Sequence, residues 1–136
     1  TDPSITSLVV KEPIGVVAGV VPWNFPLMMA VWKAAPALAA GCSVIIKPAE
    51  DTPLSALRIA QIAKEAGIPD GVFNVVPGFG DVGEALGRPN DVDAVSFTGS
   101  TEVGGLFMKY SGESNLKTIG LEMGGKSPFL VLEDAK

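Results

Sequence analysis

Apolar residues along this chain come in bursts of two lengths, and the two lengths alternate. The run from Gly15 to Val21 is almost continuously apolar and rich in valine, as in a parallel strand buried on both faces. Leu27 to Ala40 is longer and dominated by Ala, Met and Leu, strong helix formers, and Gly41 follows where a helix end favours a left-handed residue. Ser43 to Lys47 returns to the strand type, and Pro48 ends it. Thr52 and Pro53 read as a cap and a first-turn proline opening a helix to about Ala66, stopped by Gly67 and Pro69. A strand over Val72 to Val76, a turn at Gly78-Phe79-Gly80 and a short helix near Asp81 to Leu86 come next. Ala94 to Phe97 is another strand, Thr98-Gly99-Ser100 leads into a helix from about Thr101 to Tyr110, and Lys117 to Leu121 closes the pattern as a strand. The stretch from Leu27 to Ile46 has nearly the length of a membrane span, but Lys33, Pro36, Gly41 and Ser43 interrupt it, so it reads as two buried elements.

Strand and helix alternate throughout, with connections that suit only right-handed parallel crossovers. The expected fold is α/β: a doubly wound parallel sheet, a Rossmann-like variant. No internal repeat, low-complexity tract or long linker interrupts it. Ligands of such sheets bind beyond the carboxyl ends of the strands. The residues there are Trp23-Asn24, Lys47 to Glu50, Pro77 to Gly80, Thr98 to Gly104 and Glu122 to Lys126.

Charge and composition narrow the partners. Ten basic against 15 acidic residues give a net charge of −5, which argues against a nucleic acid or an anionic membrane as the partner. A small molecule in a local pocket is expected instead. One cysteine makes no internal disulfide, and with no charged, apolar leader at the start the cytoplasm is the expected compartment. The absence of histidine removes Ser-His and Cys-His catalysis and histidine metal sites from what these residues can do alone, and no metal is expected. A hydrophobic fraction of 47% is high for a free-standing domain of 136 residues, which suggests a piece of a larger, multidomain chain.

Several of these strand-end residues have chemistry of their own. Ser100 stands where a helix N-terminus begins, and exposed N–H groups there favour a phosphate; a plain N-cap fits the same residue. Lys47 and Glu50, three apart, can converge on one side of a turn, a pairing that suits a ribose diol and equally a surface ion pair. Asn24 sits between Trp23 and Phe25 and is fenced by Pro22 and Pro26, an arrangement that suits a turn or a rigidly held amide donor, with the two rings as packing. Glu122 follows a buried strand and precedes two glycines; burial there would push it towards the range useful to a general base, while a solvated carboxylate fits too. Cys42, in Ala-Gly-Cys-Ser with no adjacent base, reads as packing.

Taken together, PWNFP, KPAE, FTGSTEVG and LEMGGK, in this order and spacing, resemble the cofactor-binding core of the aldehyde dehydrogenase superfamily from about Glu12 onward. The run Lys109 to Lys126 looks most like the bacterial enzymes that oxidise γ-glutamyl-γ-aminobutyraldehyde and related amino- or aliphatic aldehydes. The resemblance implies NAD-dependent oxidation of an aldehyde to an acid through a cysteine thioester. It gives Asn24 the oxyanion, Glu122 the water-activating base and Lys33 support of that glutamate's proton traffic, although a snorkelling helix lysine fits Lys33 too. It assigns the cofactor to Val21, Trp23, Lys47, Glu50, Gly80, Phe97, Gly99, Ser100, Val103 and Gly124, with Gly99 allowing a tight turn; for Gly80 and Phe97, turn geometry or core packing would serve as well. Glu50 should repel a 2′-phosphate, so NAD is favoured over NADP. Residues 1–10 resemble the end of an oligomerisation hairpin, 11–124 the NAD-binding domain, and 125–136 the start of a catalytic domain with its first strand at Ser127 to Leu132. The family's cysteine lies downstream of the glutamate motif, so this chain alone is expected to be inactive, and the complete protein to be a homodimer or homotetramer. A non-catalytic dinucleotide-binding module or a structural protein is the alternative.

Overall fold

The computed structural model describes Asp2 and residues 4–136; Thr1 and Pro3, part of the expected hairpin end, lie outside the described residues. Five strands and four helices alternate: β1 (Val16–Val20), α1 (Pro26–Ala39), β2 (Ser43–Lys47), α2 (Leu54–Glu65), β3 (Phe73–Val75), α3 (Gly80–Gly87), β4 (Ala94–Gly99), α4 (Thr101–Gly112) and β5 (Thr118–Met123). All strands run parallel in the order β3-β2-β1-β4-β5, the doubly wound sheet that the alternation predicts.

Residues two apart on a strand share a face. Ala18, Val20, Val95 and Phe97 therefore point to one side, where Phe107 and Tyr110 of α4 close a core with Leu86 of α3. Phe107 lies 5.2 Å from the Phe97 ring and meets Tyr110 edge-on at 5.9 Å. Val44 and Ile46 point to the other side and pack with Ala30 and Ala34 of α1 and Ala56 of α2. The small residues on α1 and α2 let those helices lie close on a sheet whose own side chains are branched.

The boundaries depart from expectation where pairing or sterics outrank local preference. α1 begins at Pro26, whose missing N–H costs nothing in a first turn. It ends at Ala39, and Gly41 follows with φ of 90°, the left-handed residue expected beyond the helix end. Thr52 does not cap α2: Pro53 takes the cap position without a side-chain cap bond, and the Thr52 hydroxyl donates to the Trp23 carbonyl at 3.3 Å. β4 runs two residues past Phe97 and β5 two past Leu121, because the ladder continues through Thr98↔Glu122 and Gly99↔Met123. Residues 127–132 form no strand and residues 4–10 no ladder, since no described segment pairs with them. No helix among the described residues is long and apolar enough to cross a membrane.

Two polar side chains tie the far end of the sheet. The Asp93 carboxylate accepts from the Val16 N–H at 2.8 Å, fixing β1 beside β4. Lys117 is buried, with no carboxylate beside it: its ammonium donates to the Gly87 carbonyl at the end of α3 (2.7 Å) and to the Ser114 hydroxyl (2.8 Å). Burial pushes the Lys117 pKa down, and the helix C-terminus is where a cation belongs.

Gly15 has φ of 121°, and a β-carbon there would overlap the Asp93 carboxylate. Gly15→Ala should therefore destabilise the fold by about 2 kcal/mol or more, through backbone strain and the disturbed Asp93 bond. The check is the urea midpoint; an unchanged midpoint would mean that the strand start is not under this constraint.

Candidate active site

At the carboxyl ends of the strands, the connection from β1 leads towards β2 while that from β4 leads towards β5. Between the diverging connections lies a cavity of about 1100 Å³, the expected position for a ligand in a doubly wound sheet. Asn24, Lys33 and Glu122 line it, as do Val21, Trp23, Lys47, Glu50, Gly80, Phe97, Gly99, Ser100, Val103 and Gly124. Every residue expected to touch cofactor or substrate thus borders one space.

The sheet sorts them onto two sides. Ladder partners share a face, so Gly19, Ser96 and Gly120 form one row on the α1 side, and Thr98 and Glu122 the next row on that same side. Lys33 reaches this face from α1. Its ammonium donates to Ser96 Oγ at 3.0 Å and Thr98 Oγ1 at 2.9 Å. It does not snorkel to solvent, because two hydroxyls offer it acceptors inside. Burial lowers the Lys33 pKa, and the charge of Glu122 opposes that shift.

Glu122 itself is exposed, contrary to the expected partly desolvated position. β5 is an edge strand, and no other described strand lies beyond it. The setting of Asn24 also differs. It stands on the bend before α1, but Trp23 and Phe25 are 65% and 55% exposed and supply no packing there. The bend is instead pinned by its backbone: the Val21 N–H donates to the Lys47 carbonyl at 3.1 Å, and the Trp23 carbonyl accepts from Thr52.

The other face carries Lys47, in one row with Val20, Phe97 and Leu121. Lys47 lies 3.4 Å from the Glu50 carboxylate; its side chain is 8% exposed against 48% for Glu50, so this is not a pair in which both partners sit in bulk water. Glu50's own backbone N–H holds its carboxyl below the usual range; burial opposes that shift, and Lys47 adds to it. Across the cavity, Ser100 caps α4 and its hydroxyl accepts from the Val103 N–H at 3.2 Å. Gly99 makes no tight turn: it is the last residue of β4, and a β-carbon there would press on the Phe97 ring at 2.6 Å. Phe97 is 4% exposed and belongs chiefly to the core. Gly80 opens α3 with nothing within 4 Å of where its β-carbon would be, and Val103 and Gly124 are exposed at the rim.

Cys42 is buried at the start of β2 and does not line the cavity. Among the described residues no group of three or more His, Cys, Asp or Glu converges as a metal site. Sequence reasoning missed Ser96 and Thr98 as partners of Lys33, and Thr52 as the tie to Trp23. A signal for the first two exists: they are the polar residues at every second position of an otherwise apolar strand.

The model of the aldehyde dehydrogenase family matches residues 1–136. An aminoacetaldehyde dehydrogenase from Pseudomonas aeruginosa is 63% identical over 131 residues, which are 96% of this chain and 26% of that protein. The structure of a γ-glutamyl-γ-aminobutyraldehyde dehydrogenase from Burkholderia cenocepacia superposes with a TM-score of 0.85 at 64% identity, over 86% of this chain and 24% of that one. An indole-3-acetaldehyde dehydrogenase from P. syringae, in complex with NAD+ and IAA, gives 0.84 at 63% identity over 86% and 24%. The chain thus spans about a quarter of the length of the relatives it matches.

Replacing Ser100 by Ala removes the acceptor for the Val103 N–H and should cost about 1 kcal/mol of stability, while Ser100→Gly should cost only a few tenths. Urea unfolding of the two variants checks this; equal losses would deny Ser100 its capping role.

Proposed function

The chain belongs to the aldehyde dehydrogenase family, and on that premise we propose that it carries the cofactor site, the oxyanion donor and the water-activating base of an enzyme that oxidises an aldehyde to a carboxylic acid. The observation that carries this reading is the meeting of two differently equipped sheet faces at one cavity. Lys33 and Glu122 stand on the α1 side; Lys47, with Glu50 beside it, and the first turn of α4 stand on the other.

The residues fit a nicotinamide dinucleotide. Backbone N–H groups in the first turn of α4 and its dipole favour a phosphate at Ser100, and Gly80 leaves room for close approach. Glu50, held ionised, accepts from ribose hydroxyls while Lys47 donates. A 2′-phosphate would meet the Glu50 charge, which supports NAD over NADP. When bound, the dinucleotide supplies the two-electron acceptor for the conversion of aldehyde to acyl group.

The chain's own groups handle charge and protons. A thiolate adding to the aldehyde carbon leaves negative charge on oxygen, and the Asn24 amide donates to it from the bend before α1. After the acyl thioester has formed, Glu122 takes a proton from a water as that water attacks the carbonyl; the C–S bond breaks, and the acid and the thiol are released. Lys33, held on the same face, is the cation that balances Glu122. The nucleophile is assigned to a part of the protein outside these residues, because Cys42 is buried away from the cavity. The substrate is proposed to be an amino- or aliphatic aldehyde, by likeness to relatives whose names specify aminoacetaldehyde and γ-glutamyl-γ-aminobutyraldehyde.

Two substitutions in the complete enzyme test this. Glu122→Gln should slow acyl-enzyme hydrolysis by about 100-fold or more, as expected for loss of a general base; a burst followed by slow turnover is the readout, and undiminished turnover would refute the assignment. Glu50→Ala should reduce the NAD over NADP ratio of kcat/KM by about tenfold, the worth of one charged hydrogen bond; an unchanged ratio would remove Glu50 from cofactor selection.

A further inference from the structure

Lys33 is an amphiphile threaded between a helix and a sheet, and its path is unusually well cleared. Ser96 has Gly19 as ladder partner on one side and Gly120 on the other. With no side chains on either flank, the sheet surface beside Ser96 is a shallow trough. The Lys33 stem lies over its Gly19 side: a β-carbon at Gly19 would come within 3.3 Å of Lys33 Cδ and 3.4 Å of its Cβ, and within 2.6 Å of Ile46, whereas one at Gly120 would meet only the Val95 carbonyl, at 4.0 Å. At the end of the trough the ammonium meets Ser96 Oγ and Thr98 Oγ1, and Thr98 is the ladder partner of Glu122.

From this we propose that Ser96 is a positioning residue, which together with the Gly19 and Gly120 trough holds the Lys33 ammonium in line with the Glu122 carboxylate. The inference rests on the proposed role of Glu122. Ser96 is too deep in β4 to be that base's direct partner; it acts through Lys33. Two hydroxyls aimed at one ammonium hold it against two competing tendencies. The stem has four rotatable bonds and would otherwise sample solvent. Burial disfavours the charged form, and each accepted hydrogen bond restores it. The charged groups around Lys33 are few: β1 and β4 contribute none, Lys47 on β2 points to the opposite face and pairs with Glu50, and Arg58, Lys64 and Glu65 of α2 are exposed and paired with other groups. Glu122 is the charge that acts on Lys33. A change at Ser96 should therefore be read at Lys33 and, through it, at Glu122.

The test uses the complete enzyme with Ser96→Ala and Ser96→Thr, each first shown to bind NAD like the parent. Competitive acetic anhydride labelling, read by mass spectrometry across pH, reports the titration of Lys33 without requiring activity. In Ser96→Ala, Lys33 should titrate about one unit lower, the scale of one hydrogen bond to a charged group. Ser96→Thr keeps a hydroxyl and should restore it. The alkaline limb of the pH profile of acyl-enzyme hydrolysis, where Lys33 loses its proton, should move down with it in Ser96→Ala and return in Ser96→Thr, whereas a merely structural loss would lower the rate at every pH alike. An unmoved Lys33 titration in Ser96→Ala, or a moved titration with an unmoved hydrolysis profile, would overturn the inference. Glu122→Gln separates the two levels: if that variant hydrolyses normally the base assignment fails, whereas if it is slow and Ser96→Ala changes nothing, only the role of Ser96 fails.

Discussion

A parallel strand paired on both edges and covered on both faces leaves no backbone group for water, and β1 is that strand here. Its partners are β2 and β4; Ala18 is fully buried, and Val17 and Val20 nearly so. The chain must therefore cover β1 twice, with α1 and α2 on one side and α3 and α4 on the other. Right-handed crossovers then force the connections to part at the carboxyl end of β1, and the cavity is the space left by that parting. Site and core thus have one cause. The strand that most needs burial is the strand beside which an opening cannot be avoided.

That origin explains the division of labour. A sheet is a wall one residue thick, and alternation along β4 sends Ser96 and Thr98 to one face and Val95 and Phe97 to the other. In the proposed function, a molecule lying across the strand ends is gripped from the α4 side and worked on from the α1 side. The two groups of residues need not compete for the same surface, and their charges stay apart: Lys47 pairs with Glu50, Lys33 with two hydroxyls.

The order of elements was legible in the sequence because the strands are short, apolar and bounded by Gly or Pro, and because α1 and α2 are rich in Ala and Leu, while α3 and α4 each follow a strand by way of a glycine. The strand Ser43–Lys47 was readable to the residue, since Pro48 ends it chemically. What escaped was decided by partners far away in sequence. β5 extends to Met123 because β4 lies beside it, so Glu122 is a strand residue. Thr52 has the look of a helix cap, yet Trp23 offers its hydroxyl a carbonyl. That the motif residues meet at the strand ends was legible; the alternation of Ser96 and Thr98 along an apolar strand was visible too, but it points to a lysine only once α1 is seen to bring Lys33 over them. The exposure of Trp23, Phe25 and Glu122 could not be read either: burial is a property of what surrounds a residue, and their hydropathy says nothing of the cover these segments provide.

The buried Lys117 answers to backbone oxygen and a hydroxyl and to no carboxylate. The surface pairs that join Arg88 to Glu113 and Lys64 to Asp70 are lost when acid protonates their acidic partners. A peptide carbonyl takes up no proton at such acidity, and added salt does little to screen a contact that water does not reach. The join between the end of α3 and the entry to β5 is therefore a seam indifferent to acid and to ionic strength, on the opposite side of the molecule from a cavity whose Lys47–Glu50 pair depends on both.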